Sequence, residues 1–169
     1  SSQPAQGGNP ATQTDRTATI ETNRNRTDVE KVTAGAGTTE SPKRTQTTTV
    51  KTDPAGTQTS AQQKLEEDAK AADGSQVHRL MQEDYDAQNI RTQSVQEATT
   101  TTAGGDTSTN RVTTGYHEDG TSPAHVENEQ SSKTKDGAEQ SHVVDTRYAR
   151  DGQTPTSQVV TDHSKDTDG

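Results

Sequence analysis

Large apolar side chains gather in one stretch of this sequence, residues 60–98, at spacings that suit a helix. Four of them recur three, one and four residues apart, along one helical face: Val77, Leu80, Met81 and Tyr85. Isolated helices shorter than about 12–15 residues are marginal in water, because nucleating the first turn is costly. The sequence therefore predicts a transient helix near residues 76–92.

The rest of the chain has few side chains with which to build a core. Its 169 residues contain nineteen Val, Ile, Leu, Met and Tyr and no Phe or Trp, and the net charge is -9. The mean hydropathy is -1.26. Ordering the backbone costs about 1–2 kcal/mol per residue, and a chain of this composition buries too little apolar surface to offset that cost. We therefore expect an intrinsically disordered chain that is monomeric when free.

Threonine content and charge divide the chain into three segments. Residues 1–60 form a Thr-rich disordered segment that leans towards extended conformations, because threonine is β-branched. Residues 61–98 form the helix-prone interaction segment, and residues 99–169 form an acidic disordered segment. Their net charges are +1, -4 and -6. Acidity of this kind keeps a chain extended and suits a basic partner surface.

An internal repeat lies in the acidic segment. Residues 112–126 match residues 144–159 in a valine, a tyrosine, an Asp-Gly pair and a proline at an offset of 32. Asp-Gly between extended runs favours a hairpin with a type I′ turn. Since an isolated hairpin is marginally stable, the repeat predicts two weak β-hairpin-like units. They are interpreted as docking units for a repeating partner or as a duplication without function.

Apolar and aromatic side chains from the helix-prone segment and the two repeats are the candidate protein-binding residues. They are Val77, Leu80, Met81, Tyr85, Ile90, Tyr116 and Tyr148. Ser41 is the candidate phosphorylation site, since Ser41-Pro42-Lys43-Arg44 resembles the preferred site of proline-directed cell-cycle kinases. A phosphate there adds about -1.5 to -2 charges beside a basic pair.

The sequence indicates no catalytic, cofactor or metal site. Its five histidines are scattered, it has no cysteine, and no glycine pair has the flanking pattern of a phosphate-binding loop. A catalytic group needs a packed support, so we expect a non-enzymatic protein. The lack of an apolar run of about 18 residues predicts no membrane span, and the acidity argues against nucleic acid. The absence of cysteine slightly favours the cytoplasm.

Two functional hypotheses follow. In the first, the chain is a disordered structural or interaction protein, an extended tether that docks on a filament or scaffold through short motifs whose weak contacts add by avidity. In the second, it protects against stress or desiccation. High hydrophilicity and raised glycine content resemble the hydrophilins, and the resemblance implies protection without a stoichiometric partner.

Overall fold

The computed structural model describes residues 2–3, 12–36 and 42–167, which form a single antiparallel sheet of eleven strands. The strands follow one another in the sheet in chain order. They are β1 (Ser2–Gln3), β2 (Thr12–Ile20), β3 (Arg26–Ala34), β4 (Lys43–Thr52), β5 (Gln58–Lys70), β6 (Gln76–Tyr85), β7 (Arg91–Thr101), β8 (Thr107–Tyr116), β9 (Pro123–Lys133), β10 (Glu139–Tyr148) and β11 (Pro155–Lys165).

The prediction of intrinsic disorder is wrong, because strands run through all three of the predicted segments. A low apolar content excludes an ordered structure only where stability requires a closed core. An antiparallel ladder satisfies backbone groups between chain neighbours, and each cross-strand side-chain pair adds about 0.2–1 kcal/mol. Long polar side chains such as those of Gln and Lys also cover their neighbours with apolar stems, and threonine does so with its methyl group. A sheet of this kind can therefore be ordered with few large apolar residues.

The sheet is one layer thick. Within the described residues, each strand contacts only the strands that precede and follow it in the chain. Few side chains of the described residues are accordingly buried: Val95, Thr45 and Thr146 are 5–6% exposed, and no large side chain is fully buried. Both faces of the sheet are thus open to solvent.

The ladder assigns every strand residue to one of two faces, because paired residues point to the same side and neighbours along a strand alternate. We call the side that carries Leu65, Met81 and Val112 the front face, and the side that carries Val95 the back face. Thr146 lies on the front face and Thr45 on the back face.

No helix forms at residues 76–92, which contain β6, a turn and the start of β7. The helical spacing of the four apolar residues was accidental. In the strand, Val77, Met81 and Tyr85 share the front face and Leu80 lies on the back face. Ladder bonds to β5 and β7 satisfy this backbone on both sides, which a short isolated helix cannot match.

Eight of the hairpin turns have the same backbone geometry. In each, the fourth residue donates its N–H to the carbonyl of the first, as Gly120 does to His117 and Gly152 to Ala149. That fourth residue has a positive φ, 67° at Gly120 and 65° at Gly152. Asp119 and Asp151 keep negative φ values, so these are type I turns followed by a left-handed residue and not the expected type I′ turns.

The repeat seen in the acidic segment extends along most of the sheet. Left-handed turn residues at one end of the sheet are Arg24, Gly56, Asn89, Gly120 and Gly152, which are 31 to 33 residues apart. One repeating unit is therefore an up-and-down pair of strands. The predicted weak hairpins at residues 112–126 and 144–159 are consecutive parts of this continuous sheet, paired on both sides except at its edge.

Candidate functional site

The predicted binding residues do not form one patch. Leu80 points to the back face, whereas Val77 and Met81 lie on the front face of β6. Ile90 closes the turn between β6 and β7. Tyr85, Tyr116 and Tyr148 are the last residues of β6, β8 and β10 and lie at one end of the sheet. Ser41 lies outside the described residues.

A row of five apolar and two polar residues crosses the middle of the front face, and sequence reasoning missed it. Ladder partners place seven residues side by side, one from each strand from β5 to β11: Leu65, Met81, Gln96, Val112, Asn128, Val144 and Val160. We call this set the central row. Met81 is 53% exposed and Val160 52% exposed. A depression of about 360 Å³ lies over Leu65, Met81 and Val112.

The central row was hidden in the sequence because its members are 15 or 16 residues apart. A search for apolar residues about 32 positions apart, the length of two strands with their turns, detects part of the central row. Met81 precedes Val112 by 31 residues, and Val112 precedes Val144 by 32. The intervening members come from strands of the opposite direction. Their place is fixed only by the register of each turn.

A hydrogen-bonded cluster joins two of the strand-end tyrosines. The Tyr85 hydroxyl donates to Glu83 Oε2 at 2.7 Å, and Arg91 Nη1 donates to Glu83 Oε1 at 2.9 Å. The Arg91 guanidinium lies over the Tyr116 ring, 4.1 Å from its centroid. The Tyr116 hydroxyl is 2.9 Å from Ser94 Oγ. We call these five residues the tyrosine cluster, and it ties β6, β7 and β8 together.

Hydrogen bonding in the tyrosine cluster shifts the pKa values of Glu83 and Tyr85 in opposite directions. The Tyr85 hydroxyl and then Arg91 hold the pKa of Glu83 below its ordinary value. The same bond to the Glu83 carboxylate raises the pKa of Tyr85, aided by partial burial. Glu83 is therefore ionised and Tyr85 neutral near pH 7, which is the state that the bonds require. The cluster is structural in character.

Turns at the tyrosine end contact one another two strands apart. His117 Nε2 lies 3.0 Å from the Ala149 carbonyl oxygen, and Arg91 Nε donates to the Gly120 carbonyl at 3.3 Å. A Cβ on Gly120 would lie 2.8 Å from Ile90 Cγ2. Glycine is thus required there by close approach as well as by its positive φ. These contacts join successive repeating units outside the backbone ladder.

A polar depression of about 550 Å³ lies beside the central row on β8 to β11. Its most reactive group is His142, whose Nδ1 is 2.6 Å from Asp162 Oδ1. The side chain of Asp162 is 75% exposed. Ser132 and Ser164 line the same depression. No serine hydroxyl in the described part of the chain hydrogen-bonds to this histidine, so the pair lacks a nucleophile in contact.

Charged groups cross the sheet mainly as ion pairs between neighbouring strands. Glu67 accepts from Arg44 Nε at 2.8 Å and from Arg79 Nη1 at 2.9 Å, so one carboxylate joins β4, β5 and β6. These bonds, that of Arg44 first, hold the pKa of Glu67 below its ordinary value. Across residues 2–3, 12–36 and 42–167, no group of three metal-ligating side chains converges.

Among the described residues, the last strand of the sheet has one open side. β11 pairs with β10 alone, and each of its eleven residues is exposed. At the opposite edge, the described pairing of β1 with β2 involves Thr12 and Gln13. Such edges can accept a further strand.

Helices long and apolar enough to cross a membrane do not occur in the part of the chain that the structure describes. No protein-family model matches this sequence, and comparison with curated proteins and with solved structures likewise found no match.

Proposed function

We propose that the protein is an ordered, non-enzymatic repeat module that serves as a rigid spacer. Its sheet holds β2 and β11, the first and last strands of more than two residues, which we call the outer strands, a fixed distance apart. The observation that carries this proposal is that strands contact only their chain neighbours. With about 4.8 Å between adjacent strands, the ten strands from β2 to β11 span about 43 Å. This ordered role replaces the disordered tether that the composition had favoured.

Contacts between units support the rigidity of such a spacer. Glu67 joins three strands through Arg44 and Arg79, and the tyrosine cluster joins three more. Stacked turns add contacts between units at one end of the sheet, such as that of His117 with Ala149. Hinge motion between two units would have to break several of these contacts together.

The open faces support the non-enzymatic part of the proposal. Catalysis by a histidine and a carboxylate depends on excluding water and on a positioned nucleophile. The Asp162 partner of His142 is largely exposed, so water competes for its hydrogen bonds. The depressions on the front face are shallow surfaces on one layer of strands and have no opposing wall.

The proposal is tested by changing the number of units and measuring the distance between the outer strands. Spin labels are attached to cysteines replacing Thr17 on β2 and Thr161 on β11, since the chain has no native cysteine. Removing residues 76–106 joins Ser75 to Thr107 and deletes one two-strand unit. Ser75 and Asp106 each end a turn, and the residue that follows each of them lies on the back face. The deletion therefore leaves every remaining side chain on its own face. The label distance should shorten by about 10 Å, and its distribution should stay narrow.

A matched control removes one residue more, residues 76–107. The strands that follow the junction then turn their front-face side chains to the back, so this variant should be less stable and should give a broad distance distribution. The proposal fails if the parent protein gives a broad distribution at low protein concentration. It also fails if the 31-residue deletion leaves the distance unchanged.

A further inference from the structure

The edge strands carry an unusual share of the exposed apolar surface. The four most exposed large apolar side chains of the described residues are Ile20 at 71%, Val159 at 59%, Met81 at 53% and Val160 at 52%. Three of these lie on β2 or β11. Natural edge strands are usually protected by lysine, proline or a bulge. In β11, proline and lysine occur only at the two ends, Pro155 and Lys165, so the middle of this edge has neither.

Strand direction makes the two edges complementary. The ten strands from β2 to β11 alternate in direction, so β2 and β11 are antiparallel. A second copy of the chain, shifted along the sheet without rotation, would therefore bring its β2 antiparallel to β11. Its front face would continue the front face of the first copy. This arrangement repeats the relationship that neighbouring strands already have within the chain.

The repeat also defines the register of such a contact. Arg24 and Gly152 are equivalent turn residues four units apart, so Ile20 on β2 corresponds to Tyr148 on β10. β2 of the second copy is then placed against β11 as β10 is placed against β9, one 32-residue unit earlier in the chain. Arg16 lies beside Val160, as Val144 lies beside Asn128, and Thr17 lies beside Val159. Thr19 would lie beside Ser157, as Arg147 lies beside His125, and Ile20 would follow at the start of β11. The exposed apolar residues of both edges would thus be covered by one interface.

Charge favours a head-to-tail contact over the pairing of two identical edges. Residues 1–60 carry a net charge of +1, and residues 99–169 carry -6. β11 itself carries one aspartate and one lysine, so the difference lies in the strands beside it. Pairing β11 with β11 of another copy would bring two acidic 99–169 segments side by side, whereas pairing β11 with β2 does not. The exposed side chain of Arg16 would also lie diagonally across from Asp162, both 75% exposed in the single chain.

We propose that the free edge of β11 pairs with β2 of a second copy of this chain along residues 15–20, beyond the part of β2 that pairs with β1, so that the sheet continues head to tail. Such a heterologous contact does not close on itself and yields linear filaments. The subunit repeat along a filament would be about 48 Å, ten strand spacings. The inference goes beyond the proposed spacer function, which would hold for a single chain that never assembles.

The test compares the parent protein with Val160→Lys and Met81→Lys by sedimentation velocity over a range of concentrations, with electron microscopy of the largest species. Met81 is the matched control, because its exposure equals that of Val160 but it lies on a central strand. The parent protein should form filaments. Val160→Lys should raise the concentration needed for assembly by about tenfold or more, and Met81→Lys should change it little.

Mixing two edge variants distinguishes the head-to-tail contact from the pairing of identical edges. Ile20→Lys blocks the β2 edge and leaves β11 intact, whereas Val160→Lys does the reverse. Each variant alone should be monomeric, and an equimolar mixture should form a dimer that does not extend. Far-ultraviolet circular dichroism confirms that each variant is folded, and Val159→Lys replaces Val160→Lys if the latter is not.

Three results would overturn the inference. The first is a parent protein that remains monomeric at the highest concentration reached. The second is assembly that Met81→Lys abolishes and Val160→Lys does not, which would indicate association through the front face. The third is dimerisation of Ile20→Lys alone, which would indicate pairing of β11 with itself. In each case, the spin-label distance within one chain would still report on the spacer function separately.

Discussion

The guanidinium carbon of Arg91 lies 4.1 Å from the centroid of the Tyr116 ring. Arg91 is on β7 and Tyr116 ends β8, so this contact covers the position where the ladder between them stops. The same guanidinium binds Glu83 on β6 and the carbonyl of Gly120 in the next turn. One side chain therefore connects two repeating units of a sheet that has almost no buried core.

Replacing Arg91 with alanine should lower the free energy of unfolding by about 2 kcal/mol, because a charge-assisted hydrogen bond and a cation–π contact are lost together. Urea unfolding monitored by circular dichroism measures the change. A double-mutant cycle with Tyr116→Leu should give a coupling energy of about 0.5–1 kcal/mol.

Arg111→Ala is the control for Arg91. Its Nη1 lies 3.9 Å from Glu97 Oε2 and its side chain is 45% exposed, so its loss should cost no more than about 0.5 kcal/mol. Equal effects of the two substitutions would contradict the connecting role of Arg91.

Bulged threonines near the tyrosine end should each contribute to stability. At three β-bulges the extra residue is a threonine whose hydroxyl donates to a carbonyl of the partner strand: Thr59 to Lys51, Thr92 to Asp84 and Thr156 to Arg147. Thr92→Ala should cost about 0.5–1 kcal/mol, and Thr92→Ser, which keeps the hydroxyl, should cost less.

The fourth bulge has Ala124 at the corresponding position, opposite Gly115. Ala124→Thr should add the missing hydrogen bond and raise the free energy of unfolding by about 0.5 kcal/mol. A higher midpoint of urea unfolding would report this gain. Loss of stability in this variant would show that the fourth bulge differs in geometry from the other three.

Leu80 and Met81 should respond very differently to a negative charge. Leu80 lies on the back face between its ladder partners Glu66 and Glu97, and Met81 lies on the front face between Leu65 and Gln96. Leu80→Asp should cost about 2 kcal/mol, since it removes a half-buried apolar side chain and sets three carboxylates in a row.

Met81→Asp should change the free energy of unfolding by about 0.5 kcal/mol or less. Leu80→Lys loses the same apolar surface as Leu80→Asp but opposes the two glutamates with a positive charge, so it should recover part of the loss. Equal losses for Leu80→Asp and Leu80→Lys in urea unfolding would exclude the electrostatic contribution.

Acid should weaken the sheet through two turn aspartates. Hydrogen bonds from the Thr154 side chain and from the backbone N–H groups of Thr154 and Gln153 lower the pKa of Asp151 to about 2. Bonds from Ser122 and Thr121 hold the pKa of Asp119 well below its usual range. Because both folded pKa values lie below the unfolded value of about 3.9, their contribution is present above about pH 4 and is lost as the pH falls towards 2.

The measurement is the free energy of unfolding from pH 6 to pH 2 for the parent and for Asp119→Asn with Asp151→Asn. The parent should lose more stability than the variant between about pH 4 and pH 2, so the two curves should converge. Asp136→Asn serves as the control, because the described structure assigns no hydrogen bond to Asp136. Parallel curves for the parent and the double variant would contradict the prediction.

Local turn chemistry was the part of this fold that the sequence made predictable. Asp119-Gly120 and Asp151-Gly152 do form turns, because glycine is the residue that accepts a positive φ without strain. The turn at Asn89 is less visible, since its left-handed residue is not glycine. Arg24 gives no signal at all, because arginine is unusual in that conformation.

The candidate site was harder to predict than the turns. The sequence predicts Tyr85, Tyr116 and Tyr148 as protein-binding residues. In the structure they occupy equivalent strand ends. Their partners were missed, because Arg91 and Ser94 become neighbours of Tyr116 only through the register of β7 with β8. The helical interpretation of residues 76–92 failed for a related reason. A short apolar stretch fits either periodicity, and the pairing partners that decide between them are distant in sequence.

The sequence by itself determined two of the places where the chain reverses, Asp119-Gly120 and Asp151-Gly152, because the geometry of a turn depends on a few adjacent residues and their side-chain hydrogen bonds. The tertiary structure decided that the segments between turns are ordered, which of their side chains share a face, and which strands lie at the edges of the sheet. Those properties depend on pairing between strands, where each polar residue is stabilised by neighbours on both sides. A count of apolar residues along one chain does not contain that information.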